Sequence, residues 1–183
     1  NVTVSEDMTL SPGKPLVIYG MMTVEEGATL NIAPGTTVYF HGDAGINVKG
    51  KLMCKGSQSA GIVLRGDRLD RMFDYLPYDR MSGQWRGIRF EETSYGNELD
   101  FVDIHGAFDG VLVDSSDVTR QTLAIRNSTI HNCQGNALGV VNSNVFVENC
   151  QLTNTLGNCL SVDGGNVTVN SSTIAQFYPF DAL

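Results

Sequence analysis

The sequence lacks the features of several large classes of protein. It has only four cysteines and five prolines, and no Cys-x-x-Cys pair for zinc binding or redox chemistry. No apolar run approaches the roughly 18 residues that a membrane span requires. Its 12 basic residues face 20 acidic ones, and the net charge of −8 argues against a nucleic-acid partner. The length of 183 residues suits one domain, and 20 glycines favour many tight corners.

The second half of the chain repeats itself with a period of 22 to 26 residues. Two apolar columns recur at these spacings: Leu99, Ile125, Val147, Val169, and Ile104, Ile130, Leu152, Ile174. A third apolar column and a column of small side chains follow: Leu112, Leu138, Leu160, and Val102, Ser128, Cys150, Ser172. A fixed period of this length indicates a solenoid. We expect the small column to point inward, with its serine hydroxyls hydrogen-bonded to the backbone.

Each repeat consists of short apolar alternations, which indicate strands rather than helices. Three strands of four or five residues and three bends use about 22 residues. We therefore predict an all-β chain, a right-handed parallel β-helix with three-strand coils of about 22–26 residues. Residues 16–183 supply six to seven coils, and residues 1–15 form an N-terminal segment or a partial first coil. Stacked corner asparagines, Asn127 over Asn149 and Asn136 over Asn158, fit side-chain ladders.

The sequence also favours one prediction for each end of the chain. The sequence opens on Asn1 rather than Met, which favours a processed or excised chain. Residues 174–183 keep the repeat register, with Ala182 below Leu160, and stop partway round a coil. We expect the β-helix to continue beyond Leu183, or its last coil to be covered by another chain in an end-to-end contact.

One stretch, residues 66–84, fits no coil and is predicted to be an inserted loop that packs partly over one sheet. Residues 65–86 carry five of the eight arginines of the chain and four aromatic residues. Guanidinium groups and flat rings recognise sugars and partner proteins. We predict a glycan- or protein-binding site at Arg68, Arg71, Phe73, Tyr75, Tyr78, Arg80 and Trp85, with Tyr75, Tyr78 and Trp85 half-buried. A loop that covers one flank through internal Arg–Asp pairs is a compatible interpretation.

The acidic and histidine residues of the predicted exterior form no evident catalytic or metal-binding set. The acidic clusters are Asp100 with Asp103, Glu91 with Glu92, and Asp114 with Asp117, and no column stacks two acids on adjacent coils. His105 and His131 are column neighbours, roughly 5 Å apart, but Thr153 and Ala175 continue their column. We therefore predict that the two histidines are corner residues. We expect no metal, no cofactor and no catalytic residue in the chain.

Residues 15–20, 30–40, 66–70, 76–79 and 84–88 resemble the β-helix domain of a family of large surface lipoproteins of gut bacteria. The resemblance covers most of the chain and is most specific in the insertion. In that family a lipid-anchored N-terminus and further domains precede the β-helix, and no activity is established. The resemblance implies exposure on an outer-membrane surface, with membrane contact only through a lipid anchor outside this chain.

We therefore expect a non-catalytic, extracellular or cell-surface β-helix with a structural or binding role. Its ligand at the insertion would be a glycan or a protein. The alternative is a carbohydrate-active enzyme of the β-helix type, a polysaccharide lyase or glycoside hydrolase that uses exterior acids. Such an enzyme needs two or more acids on one outward face of adjacent coils, with Arg or Lys nearby.

Overall fold

The computed structural model of the chain describes residues 1–176. In this range no helix is long and apolar enough to cross a bilayer. A single short 3-10 helix spans Tyr78–Arg80. The strands are β1 Val2–Val4, β2 Met8–Leu10, β3 Leu16–Val24, β4 Thr29–Ile32, β5 Thr37–Val48, β6 Lys51–Lys55, β7 Ile62–Gly66, β8 Arg71–Phe73, β9 Leu76–Pro77, β10 Ile88–Phe90, β11 Asn97–Asp100, β12 Val102–His105, β13 Val111–Val113, β14 Leu123–Arg126, β15 Thr129–His131, β16 Leu138–Glu148, β17 Gln151–Thr153, β18 Leu160–Asn170 and β19 Thr173–Ala175.

Except for β8 and β9, these strands form three parallel sheets along the axis of a right-handed β-helix. The long strands β3, β5, β16 and β18 bend through a corner and belong to two sheets each. The first sheet also holds β1, β10 and β13, the second β2, β4, β6, β11 and β14, and the third β7, β12, β15, β17 and β19. Each sheet thus has seven strand levels within residues 1–176. β1 and β2 pair with β3 and β4, so residues 2–19 make the first coil.

The pairing register confirms the apolar columns that the sequence predicted. Leu99 pairs with Ile125, Ile125 with Val147, and Val147 with Val169. The second column is also confirmed, from Ile104 through Ile130 and Leu152 to Ile174. Like residues recur because each inward side chain packs on its equivalent one coil away, about 4.8 Å along the axis.

In the third predicted column, the pairing of Leu138 with Leu160 is confirmed, but the position of Leu112 is wrong by one residue. Leu138 pairs with Val111, and Leu112 pairs with Gly139. Leu112 therefore faces outward, while Val111 and Leu138 are fully buried. A one-residue slip moves a side chain to the other face of a sheet, and the run from Val111 to Val113 is apolar at every position, so it does not define which face is buried.

The column of small side chains lies inward, as predicted, and its two serine hydroxyls form hydrogen bonds with the backbone at a corner. Ser128 Oγ donates to the carbonyl of Arg126 at 2.6 Å and accepts from the amide of Val102 at 3.0 Å. Ser172 repeats this pattern with Asn170 and Cys150. The hydroxyls therefore stabilise the corner, because they form hydrogen bonds with backbone groups that the bend removes from the sheets.

The residue before each small side chain turns the corner in a left-handed conformation. Phe101, Asn127, Asn149 and Ser171 occupy this corner, with φ between 48° and 52°. Asparagine tolerates this region better than most residues. Asn149 Nδ2 donates to Asn127 Oδ1 at 2.8 Å, which confirms the predicted ladder between the two coils.

The predicted end-to-end contact at the last coil, including the position of Ala182 below Leu160, rests on residues 177–183. These residues lie outside the part of the chain that the structure describes. The last coil in that part ends with β19, which pairs with β17 through Ile174 and Leu152.

Candidate functional site

The chain leaves the third sheet where β7 ends at Gly66 and returns to the coils at Trp85. Between them lies the insertion (residues 66–84), in which β8 and β9 pair antiparallel as a small hairpin. Its return is held by the amides of Gly83 and Gln84, which donate to the carbonyls of Ala107 and Gly106 at 3.0 and 2.7 Å. The hairpin thus projects from a fixed base.

Arg68 and Tyr78, two of the predicted binding residues, contact each other at the foot of the hairpin. The Arg68 guanidinium lies 3.7 Å from the centre of the Tyr78 ring. It also donates two hydrogen bonds to the Asp70 carboxylate, at 2.9 and 2.6 Å. These hydrogen bonds lower the pKa of Asp70 below its ordinary value of 3.8. Arg68 is therefore already occupied by internal partners, as the flank-covering interpretation expects.

Arg71, Phe73 and Tyr75 form the exposed tip of the hairpin. The rings of Phe73 and Tyr75 stack with centres 5.6 Å apart and remain 54% and 80% exposed. Arg71 Nη1 donates to the carbonyl of Asp74 at 2.6 Å. Among residues 1–176, neither Arg71 nor exposed Arg80 forms an ion pair, so both guanidinium groups can receive an anionic or hydroxyl-rich ligand.

Trp85 is buried in the core, so the expectation that it is half-buried is wrong. It is 1% exposed, and its ring stacks on Phe40 inside the coil with centres 4.2 Å apart. Its indole nitrogen donates to the carbonyl of His105 at 2.9 Å. The expectation that Tyr75 is half-buried is also wrong, because it lies at the tip of the hairpin. Tyr78 is half-buried.

A groove runs along the third sheet beside the insertion. It encloses about 450 Å³, and its lining includes Val17 and Tyr39 from the coils and Asp67 and Leu69 from the start of the insertion. Lys14 adds a positive charge at its edge. The groove and the hairpin tip therefore offer an apolar surface with a few polar groups at one corner of the β-helix.

Beneath the insertion, the outer face of the third sheet carries a cluster of Asp103, His105 and His131, which we call the His–Asp cluster. His105 and His131 are paired on adjacent coils, and their ring centres lie 5.0 Å apart, as the sequence predicted. Asp103 Oδ1 lies 2.8 Å from His105 Nδ1 and 3.0 Å from His131 Nε2. Asp79 of the insertion approaches from above, with Oδ1 2.7 Å from His105 Nε2.

Contacts within the cluster shift the pKa values of Asp103 and His131. Burial raises the pKa of Asp103, but hydrogen bonds with His105 and His131 outweigh it and hold that pKa well below 3.8. Burial likewise lowers the pKa of His131, but the hydrogen bond and charge of Asp103 outweigh it and raise that pKa above 6.5. Without a bound ion, the carboxylate and a protonated imidazole therefore stabilise each other.

The sequence pattern indicated the two histidines and Asp103 separately but did not bring them together, and it did not single out Asp79. Asp103 precedes His105 by two residues on one strand, so strand alternation puts both on one face, and this signal was available. Asp79 carried no such signal, because the insertion has no period. One acid from each of the three clusters that the sequence showed has its own separate partner: Asp100 accepts from Asn127, Asp114 from Arg89, and Glu91 from Asn47.

The stacked parallel coils define a β-solenoid protein. The sequence matches the family described as the right-handed beta helix region over residues 56–177, which is more than half of the chain. The chain belongs to this family. No curated protein and no solved structure was found to match it. Family membership establishes the architecture but does not distinguish a binding module from an enzyme.

Proposed function

We propose that this chain is a non-catalytic β-helix that binds glycans through the hairpin tip and displays this site at the cell surface. The observation that carries the proposal is the exposed stacked pair of Phe73 and Tyr75. The same insertion also holds Arg71 and Arg80, which form no ion pair among residues 1–176. The solenoid is then the rigid support, and the insertion is the recognition element.

The chemistry of the tip suits a sugar. Pyranose rings present apolar C–H faces that pack on aromatic rings, while guanidinium groups donate hydrogen bonds to hydroxyl and carboxylate oxygens. Large rings that remain exposed on a folded protein often mark interaction sites. The tip combines both features, in a chain whose remaining surface is acidic.

The groove extends the surface available to a polymer. Leu69 and Asp67 belong both to the groove lining and to the start of the insertion, so the two surfaces adjoin. Tyr39 lines the groove, and the Arg65 guanidinium lies 5.7 Å from the centre of its ring. A chain of several sugars that packs on the tip can therefore continue along the coils.

Cell-surface display is supported by the sequence resemblance to surface lipoproteins of gut bacteria, which the insertion carries most specifically. Solenoids hold an insertion rigidly on one face, and such faces are commonly used for binding.

A glycan-array screen with the purified chain and with a Phe73→Ala/Tyr75→Ala variant tests the proposal. We expect binding to neutral or acidic polysaccharides that the variant weakens at least about 10-fold, or about 1.4 kcal/mol. The matched control is Phe146→Ala, which removes a partly exposed ring from the outer face of the second sheet, away from the corner that carries the insertion. Equal binding by all three proteins would place the site elsewhere, and capture of a protein instead of a glycan would change the ligand class.

One observation favours the alternative of a carbohydrate-active enzyme. Asp79 and Asp103 flank His105, and Arg65 Nη2 lies 2.8 Å from Asp79 Oδ1, so two carboxylates meet near a cation. A pair of carboxylates is the minimum set for glycoside hydrolysis. Turnover of a polysaccharide, measured as new reducing ends or unsaturated products and abolished by Asp103→Asn, would favour the enzyme over the binding module.

A further inference from the structure

The His–Asp cluster brings three potential metal ligands to one point on the outer face of the third sheet. One ligand atom from each of Asp103, His105 and His131 lies within 4.8 Å of the other two. Asp103 Oδ1 is the common neighbour, at 2.8 Å from His105 Nδ1 and 3.0 Å from His131 Nε2. The three inner atoms therefore share one small volume.

The outer nitrogen of each imidazole is held by an oxygen acceptor. His105 Nε2 lies 2.7 Å from the Asp79 carboxylate, which also forms an ion pair with Arg65 at 2.8 Å. His131 Nδ1 lies 2.7 Å from Asn132 Oδ1. The orientation of the Asn132 amide follows from its Nδ2, which donates to the carbonyl of Arg80 at 3.0 Å.

The outer contacts allow the inner nitrogens to act as ligands. In a neutral imidazole one nitrogen carries the proton and the other carries a lone pair. When the outer nitrogens of His105 and His131 carry the protons, the inner nitrogens present lone pairs toward the same small volume as Asp103 Oδ1. A metal ion in that volume replaces the protons that otherwise make the hydrogen bonds to Asp103.

We propose that Asp103, His105 and His131 form a binding site for a divalent transition-metal ion of the Zn²⁺ class. Zn²⁺ takes imidazole nitrogen and carboxylate oxygen at about 2.0–2.2 Å, which puts neighbouring ligand atoms roughly 3.3 Å apart in a tetrahedron. The present contacts of 2.8 and 3.0 Å need to widen by about 0.5 Å at most. The site follows from the geometry alone and does not depend on the glycan-binding proposal.

The two histidines have outer hydrogen-bond partners of the kind that orient metal-bound histidines. Ligating histidines typically donate their other N–H to a carboxylate or carbonyl oxygen, which orients the ring. Asp79 and Asn132 occupy these two positions, and Arg65 in turn holds Asp79. The mixed nitrogen and oxygen donors exclude Mg²⁺ and Ca²⁺ as preferred ions, because these take oxygen ligands.

The site has an open fourth position. The side chains of Asp103 and His131 are 43% and 27% exposed, so water can reach an ion bound between them. Asp79 belongs to the insertion, so a bound ion also ties the orientation of the insertion to the coils through His105. We therefore expect metal binding to stabilise the insertion as well as the cluster.

Isothermal titration of the chelator-treated full chain with ZnCl₂ tests the site, with MgCl₂ in parallel. We expect one Zn²⁺ per chain, weaker binding as the pH falls, and an enthalpy that varies with the buffer because protons are released. His131→Gln and Asp103→Asn should each weaken Zn²⁺ binding more than about 100-fold, since loss of an outer-shell partner alone costs about 10–100-fold. Asp79→Asn changes only an outer partner of His105, so it should weaken Zn²⁺ binding by about 10–100-fold.

Two control variants separate this site from adventitious binding. His41→Gln removes a surface histidine that also contacts a carboxylate, Asp67, at 2.6 Å, and it should leave Zn²⁺ affinity unchanged. Cys159→Ser removes the one cysteine that is not buried, and it should do the same. Circular dichroism confirms that each variant is folded. Absence of Zn²⁺ binding by the native chain, unchanged binding by folded His131→Gln, or loss of binding in Cys159→Ser would overturn the proposal.

Discussion

Asp79 Oδ1 lies 2.7 Å from His105 Nε2, and this contact joins the insertion to the outer face of the third sheet. The same oxygen lies 2.8 Å from Nη2 of Arg65, the last outward side chain before the insertion leaves the coil. A segment that fits no coil is therefore held against the solenoid by polar groups of the solenoid itself. This carboxylate adds a side-chain contact to the backbone hydrogen bonds of Gly83 and Gln84 that hold the insertion on the coils.

Removal of the Asp79 carboxylate should loosen the insertion without unfolding the coils. We expect Asp79→Ala to be cut by trypsin after Arg71 or Arg80 several-fold faster than the native chain, because cleavage of a folded protein requires local opening. Asp74→Ala is the matched control, since among residues 1–176 the Asp74 side chain makes no hydrogen bond or ion pair. Equal cleavage rates for the two variants would mean that the backbone contacts of Gly83 and Gln84 suffice.

The His–Asp cluster should make the stability of the metal-free protein depend on pH. The pKa of Asp103 is depressed in the folded state, so its contribution is present above its ordinary value of 3.8 and is lost as the pH falls through the folded-state value. The pKa of His131 is raised, so its contribution is present below 6.5 and is lost as the pH rises through its folded-state value.

The two contributions overlap between about pH 4 and pH 6.5. We expect the difference in free energy of unfolding between the native chain and His131→Asn to be largest in that window and to shrink on both sides. Urea denaturation at a series of pH values, with a chelator present, measures it. His41→Asn serves as the control. A difference that stays constant up to pH 9 would show that the ion pair is not what His131 contributes.

The periodic part of this fold could be predicted from the sequence, since stacked coils require equivalent inward residues. Leu99, Ile125 and Val147 were predicted in register on that ground, and the structure confirms them. Leu112 was placed wrongly, because its neighbours are apolar as well and a strand can then turn either face inward. The hydrophobic pattern of a strand predicts its pairing register only where polar and apolar residues alternate.

The candidate site was less accessible to sequence reasoning. Trp85 adjoins the insertion in the sequence and shares its aromatic character, yet it packs on Phe40 of the preceding coil, across the break in the period that the insertion makes. Asp79 meets His105 only because the insertion folds back over the sheet. Both contacts join segments with no common period, so they depend on three-dimensional packing that no repeat encodes.

Trp85 is the single tryptophan, so intrinsic fluorescence reports on the core rather than on the binding surface. We expect a blue-shifted emission and weak quenching by acrylamide, because the indole is 1% exposed. A glycan that saturates the hairpin tip should leave this emission unchanged. Quenching by the glycan would show that the ligand reaches the base of the insertion, and the assignment of Trp85 to the core would then need revision.

Two valines of β16 test the inward register most directly. Val147 is fully buried in the column of Ile125 and Val169, whereas Val141 on the same strand is 46% exposed. Val147→Asp should prevent folding, because an unpaired charge inside the coil costs several kcal/mol, a large part of a total stability of about 5–15 kcal/mol. Val141→Asp places the same charge in solvent and should change the free energy of unfolding by less than about 0.5 kcal/mol. Circular dichroism and urea denaturation compare the two variants, and a soluble Val147→Asp protein with the native spectrum would contradict the register.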